Sequence, residues 1–227
     1  MRLGFGLPVA GGWATPQNMI AVAREAESLG YHSLWTVQRI LYPSAPRNEY
    51  AGSPSGPWPA YFESVADGLV ALGYVAAATS RIQLGTAVVN LPYYSPVLVG
   101  GYSPAAMRRA VSLADGYIGG NVPLAELVPV IERLRTAARE AGRDPDGVPI
   151  VARGAVSLRD RPTGPGRRPL FGSLDEVRDD VDRYRELGLT ELFLDLNFDE
   201  RVAAPGADPD AALGLARRLL AALAPSG

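Results

Sequence analysis

Gly85-Thr-Ala-Val-Val-Asn-Leu-Pro-Tyr-Tyr-Ser-Pro-Val-Leu-Val-Gly-Gly-Tyr-Ser-Pro104 places two strand-to-loop junctions almost back to back. The first is the apolar run Ile82 to Val89, which ends at Asn90. The second is Val97 to Val99, which runs into Gly100-Gly101-Tyr102-Ser103-Pro104. Ser103 is suited to cap a helix and Pro104 to start one, while paired glycines before a helix N-terminus let backbone N–H groups meet an anion. A chain that alternates strands and helices would normally place a helix between two such junctions. Here there is room for none.

Outward from this stretch the alternation is regular. Arg2 to Leu7 reads as a first strand, and Thr15-Pro16 caps and starts a helix that stops at Gly30. Ser33 to Val37 is the second strand, and Gln38 to Ala60 is a long Pro- and Gly-rich loop. Val65, Leu69, Leu72 and Val75 predict a helix over 62–78, ahead of the third strand. Beyond the double junction, helices are expected at 105–114, 123–141, 173–188 and from Pro209 onward. Strands are expected at 116–119, 149–158 and 191–196. The pattern predicts an α/β fold in one domain, residues 1–227: a TIM-barrel-like (β/α) fold with about seven parallel strands. One βα unit is missing after strand three.

Composition narrows the chemistry. With 227 residues and 47% hydrophobic content the chain can bury a sizeable core, and a net charge of −2 disfavours nucleic acid or anionic membrane as partners. There is no cysteine and a single histidine, His32, which excludes thiolate metal sites and leaves no metal centre to predict. No secretory signal or bilayer-spanning run is evident, so a cytoplasmic location is expected.

Several short stretches resemble the bacterial luciferase-like monooxygenase family, which includes the F420-dependent oxidoreductases. They are Leu3-Gly4-Phe5-Gly6, Leu29-Gly30-Tyr31-His32-Ser33-Leu34-Trp35, Ala77-Ala78-Thr79-Ser80-Arg81-Ile82-Gln83-Leu84-Gly85-Thr86 and Val99-Gly100-Gly101-Tyr102-Ser103-Pro104. Ala114-Asp115-Gly116-Tyr117-Ile118 and Gly142-Arg143-Asp144-Pro145 complete the set, in family order along nearly the whole chain. The resemblance implies an F420- or FMN-dependent oxidoreductase acting on a small organic substrate. It implies cofactor contacts at Gly100, Gly101, Tyr102, Ser103, Gly119 and Gly120 for the phosphate. It further implies a bulge or cis peptide near Thr86, Ala87, Val88 and Asn90 under the ring.

The resemblance also exposes two departures. Where relatives read Ser-Leu-Trp-x-x-Asp-Arg, this chain reads Ser33-Leu34-Trp35-Thr36-Val37-Gln38-Arg39, and an amide cannot exchange protons near neutral pH. No catalytic residue is therefore assigned. Gln38, Arg39, Tyr42 and Trp58 are expected to line the substrate or form a lid, with Tyr50 and Tyr61 beside them. These aromatic residues equally suit a cover for the edge that the missing unit leaves. Arg153 is expected either to meet an anionic ligand or to pair with a carboxylate such as Asp195, and Arg159, Arg161, Arg167 and Arg168 form a basic loop. His32 belongs at the entry end of strand two. The missing unit leaves two strand edges open, which predicts a homodimer that covers the gap. The alternatives are a non-catalytic flavin-binding protein and a cofactor-free partner subunit.

Overall fold

The computed structural model describes residues 1–39, 41–50, 57–88, 98–100, 103–120 and 124–225. Along the chain run β1 (Arg2–Gly6), α1 (Pro16–Ser28), β2 (Ser33–Val37), α2 (Gly68–Ala76), β3 (Gln83–Val88), β4 (Leu98–Gly100), α3 (Pro104–Leu113) and β5 (Gly116–Gly120). They are followed by α4 (Leu124–Glu140), β6 (Ile150–Ala155), β7 (Ser157–Leu158), β8 (Phe171–Gly172), α5 (Leu174–Glu186), β9 (Glu191–Asp195), α6 (Glu200–Ala203) and α7 (Pro209–Ala222). The residues fall into two compact units. One comprises 1–3, 90–154 and 158–194, and the other 4–89, 155–157 and 195–227.

In the second unit β1, β2 and β3 form a parallel ladder in the order β3-β2-β1, with Gly6, Trp35 and Gly85 in register. Its core gathers Phe5, Leu7, Trp13, Val22, Leu34 and Leu219, all fully buried. Thr15 caps α1 by accepting the Asn18 N–H, Pro16 opens the helix, and Met19, Val22, Ala23 and Ala26 form its buried face. The periodicity predicts a helix from Phe62, yet α2 begins only at Gly68. Residues 64–66 are instead drawn into backbone pairing with the end of β1, through Gly11 N–H to Ser64 O, Ala66 N–H to Val9 O and a bridge between Ala10 and Val65. Asp67 then caps the helix by accepting from Leu69 and Val70. Gly11 has φ +68°, and a Cβ there would lie 1.4 Å from the Ala203 carbonyl oxygen. Only glycine fits.

In the first unit the order is β9-β6-β5-β4, and β4-β5 and β5-β6 pair in parallel. Tyr117, Leu127, Leu134, Val177, Leu192 and Phe193 lie at its centre. Helix α4 runs through Pro129 without ending, as the sequence predicts, and Gly142 at φ +70° follows it. Helix α5 opens with a complete capping box, Ser173 and Glu176 each accepting the other's backbone N–H. The basic loop 159–170 is closed at its base where Arg159 N–H donates to Gly172 O at 2.6 Å, so β7 and β8 form a short ribbon that the sequence does not signal.

A single carboxylate ties α1 to the entry of β3. Glu27 Oε1 accepts the N–H groups of Ser80, Arg81 and Ile82 at 2.8, 2.6 and 3.0 Å. These backbone donors, Ile82 first, hold its pKa down at about 2, against an ordinary value of 4.5. A depressed carboxylate stabilises the fold above its unfolded pKa and loses that contribution as pH falls through the folded value. Glu27→Gln is therefore expected to lower the urea midpoint at pH 7, and the difference from the parent should close between pH 4.5 and about 2.

Candidate functional site

Two groups of residues stand at carboxyl ends of parallel strands, where barrel enzymes build their sites. In the first unit the register pairs Gly100 with Ile118, Gly119 with Ala152 and Gly120 with Arg153. Gly119 therefore stands one residue further along its strand than Gly100 does, and Arg153 is level with Gly120. Ser103 Oγ accepts the Ala106 N–H at 3.2 Å, and Pro104 occupies the first turn. No acidic residue stands in the first turn of α3, as in α1 and α2, whereas α4, α5, α6 and α7 each carry at least one there. The positive end of the α3 dipole is left uncompensated, with Arg108 and Arg109 one turn on. At the other end of α3, Arg143 donates to the Ala114 and Asp115 carbonyls at 2.7 and 2.6 Å, which sets the helix orientation. Gly101, Tyr102 and Asn90 lie outside the described residues.

The basic loop of the first unit is committed elsewhere. Arg167 is mostly buried and pairs with Asp180 and Glu176, and those partners raise its pKa further. Asp180, 1% exposed, also accepts the Leu170 N–H at 2.7 Å, which holds Leu170 at φ 65°. Arg168 stacks on Phe171. Arg167 thus anchors the loop from within rather than offering its charge to a ligand.

In the second unit Trp35 lies flat on Gly85. A Cβ at residue 85 would come within 2.8 Å of the indole, whose Nε1–H donates to Ser33 Oγ at 2.7 Å. Just beyond, Thr36 pairs with Thr86 but Val37 pairs with Val88, so Ala87 is the extra residue of a register shift. No cis peptide bond occurs among the described residues. Gln38 and Arg39 are half-buried after β2. Tyr42 and Trp58 meet edge-on at 6.5 Å, and Arg39 stands among rings contributed by Tyr50, Trp58 and Phe62. His32 immediately precedes β2, with its carbonyl accepting the Gln83 N–H, so it lies at the opposite end of the strand from this group.

A polar knot that apolar periodicity does not reveal lies next to these rings in the sequence and the fold. Asn197, 1% exposed, accepts from the N–H groups of Val9 and Ala10 and from Trp13 Nε1. Its amide donates to Leu7 O and to Asp195 Oδ1, both at 2.8 Å. Nearby, Ser157 donates to the buried Asp199, which also pairs with Arg201. The polar pair Asp195-x-Asn197 at the end of an apolar strand is the one signal that could have found it.

The family is decided by the match of its profile. The luciferase-like monooxygenase profile matches residues 3–100 and 93–164, two stretches that meet in the segment of the double junction. The chain belongs to the luciferase-like monooxygenase family. Its fold matches an F420-dependent secondary alcohol dehydrogenase solved with an F420-acetone adduct, with TM-score 0.64, 11% identity and 98% of each chain covered. It also matches a monooxygenase from Streptomyces bottropensis, with TM-score 0.64, 15% identity, and 97% and 98% of the two chains covered. A riboflavin lyase solved with modified FMN and riboflavin matches at TM-score 0.64 and 10% identity, with 98% of this chain and 91% of that one covered. No curated protein sequence matches. This luciferase-like chain keeps parallel strands on either side of a missing βα unit, and among the described residues no helix is long and apolar enough to cross a membrane.

Asn197→Ala would leave three buried donors without an acceptor. It is expected to cost about 3 kcal/mol or more of unfolding free energy, measured by urea denaturation.

Proposed function

We propose that this luciferase-like chain is an F420- or FMN-dependent oxidoreductase of the monooxygenase type, acting on a small organic substrate. The observation that carries the reading is the pair of glycine strand ends, Gly100 and Gly119, beside a helix N-terminus free of acidic side chains. That donor set fits a phosphate: backbone N–H groups, the α3 dipole and Ser103, and Gly101, Tyr102 and Gly120 are proposed to join it. Thr86, Ala87, Val88 and Asn90 are the residues proposed to meet the ring, and the register shift at Ala87 supports an irregular strand end suited to that role.

When bound, the reduced cofactor supplies hydride transfer or oxygen activation. The chain's own part is to bind, orient and exclude water. Gln38 can hydrogen-bond a ligand but holds no exchangeable charge, so no proton transfer is assigned to it. That same glutamine favours a second reading, a flavin-binding protein without turnover. Fluorescence titration with FMN and with F420, followed by turnover with the reduced cofactor, separates the two. Binding with turnover is expected. Binding without turnover supports the second reading, and no binding of either leaves a cofactor-free partner subunit. Gly119→Asp, which sets a carboxylate at the phosphate corner, is expected to weaken binding by about tenfold or more.

We also propose a homodimer. Among the described residues β3 and β4 each have one ladder neighbour, and open edges of this kind are normally covered. Sedimentation at micromolar concentration should give twice the 24.1 kDa chain mass, and a monomer there would overturn the proposal.

A further inference from the structure

After β2 the chain holds a cation that no Asp or Glu side chain neutralises. The Arg39 guanidinium carbon lies 4.1 Å from the Phe62 ring centroid, 5.3 Å from that of Trp58 and 5.8 Å from that of Tyr50. The rings are themselves held in place. Trp58 Nε1 donates to Asn48 O at 2.9 Å, Tyr42 Oη donates to Trp58 O at 3.1 Å, and Phe62 packs against Tyr61 and Phe198. No ion pair or hydrogen bond joins Arg39 to a described residue. Every Asp and Glu of the chain is described, and none of these side chains pairs with it. Glu49 and Glu63, beside the rings in sequence, remain exposed instead.

Stacking satisfies the two faces of a guanidinium and leaves its rim of N–H donors unused. The rings attract the cation through their faces and restrict its rotamers, but they accept none of its N–H groups in the plane of the fork. Here the fork is held half-buried, and among the described residues its donors have no acceptor. One guanidinium offers one charge and two parallel donors, which matches a carboxylate. A phosphate dianion would leave charge uncompensated.

We propose that Arg39 receives the carboxylate of a ligand whose apolar body lies against the Trp58 and Tyr50 rings. Resting on the proposed oxidoreductase function, this assigns the substrate to the small carboxylic acids with an aromatic or branched apolar body. Arg39 is then a binding and specificity residue, and Tyr42 and Trp58 are the wall of its pocket.

The test is a titration of the intact protein with benzoate and with its neutral isostere benzamide, followed by calorimetry and tryptophan fluorescence. Benzoate is expected to bind about tenfold or more tighter than benzamide, and added salt should weaken benzoate alone. Arg39→Met keeps the stem on the rings and removes the fork. It is expected to weaken benzoate about tenfold or more and leave benzamide unchanged, with Arg39→Lys between the two. If both ligands weaken together in Arg39→Met, the residue only braces the loop and the proposal falls. It also falls if benzoate binds the parent no better than benzamide, or if inorganic phosphate displaces benzoate at lower concentration. FMN and F420 binding is read separately by cofactor fluorescence. Loss of that signal with benzoate selectivity intact overturns the cofactor assignment and leaves Arg39 standing.

Discussion

The carboxamide of Asn197 is the contact on which the functional end of the second unit depends. The chain leaves β1 without entering a helix at once, and the backbone from Leu7 to Ala10 is buried there. Buried backbone groups outside a ladder need partners, and one side chain serves three of them along with the Trp13 indole and its own neighbour Asp195. Phe198 follows directly, so the same turn that supplies the amide also supplies a ring against Tyr61 and Phe62. The aromatic wall around Arg39 is thereby set on rigid footing rather than on its own long loop.

Charge is distributed with the same economy. Arg167, Glu176 and Asp180 consume each other at the base of the 159–170 loop, and Glu27 is consumed by three backbone donors. Arg143 is spent on the carbonyls at the end of α3. Beside these committed charges stand the N-terminus of α3 in one unit, with no acidic residue in its first turn, and the Arg39 fork in the other. Each faces the carboxyl end of a parallel strand in its own unit, and each has the chemistry of an anion site.

Much of the fold is legible because its signals are local. The Thr15-Pro16, Ser103-Pro104 and Asp208-Pro209 starts and the Ser173 to Glu176 capping box all fall where the sequence predicts them, since a cap needs only residues within one turn. Apolar periodicity places the start of α2 at Phe62, whereas the helix begins at Gly68. Apolar periodicity across 62–68 competes with backbone pairing to Val9 and Gly11, and that pairing is invisible without the tertiary neighbour. Of the candidate site, Gly100, Ser103 and Gly119 are legible as strand-end and cap residues. Arg167 reads as part of a solvated basic run, although its partners sit nine and thirteen residues on, along the face of α5.

By itself the sequence determined the alternation of strands and helices, the absence of one βα unit, the family and the loss of an acid at Gln38, because each rests on neighbours along the chain. Only the tertiary structure decided that Asn197 closes the end of β1, that Ala87 is the extra residue of β3, and that Arg39 is ringed by Tyr50, Trp58 and Phe62 with no Asp or Glu side chain paired to it. Those outcomes depend on groups 11 to 190 residues apart meeting in space, and side-chain identity alone carries no record of such meetings.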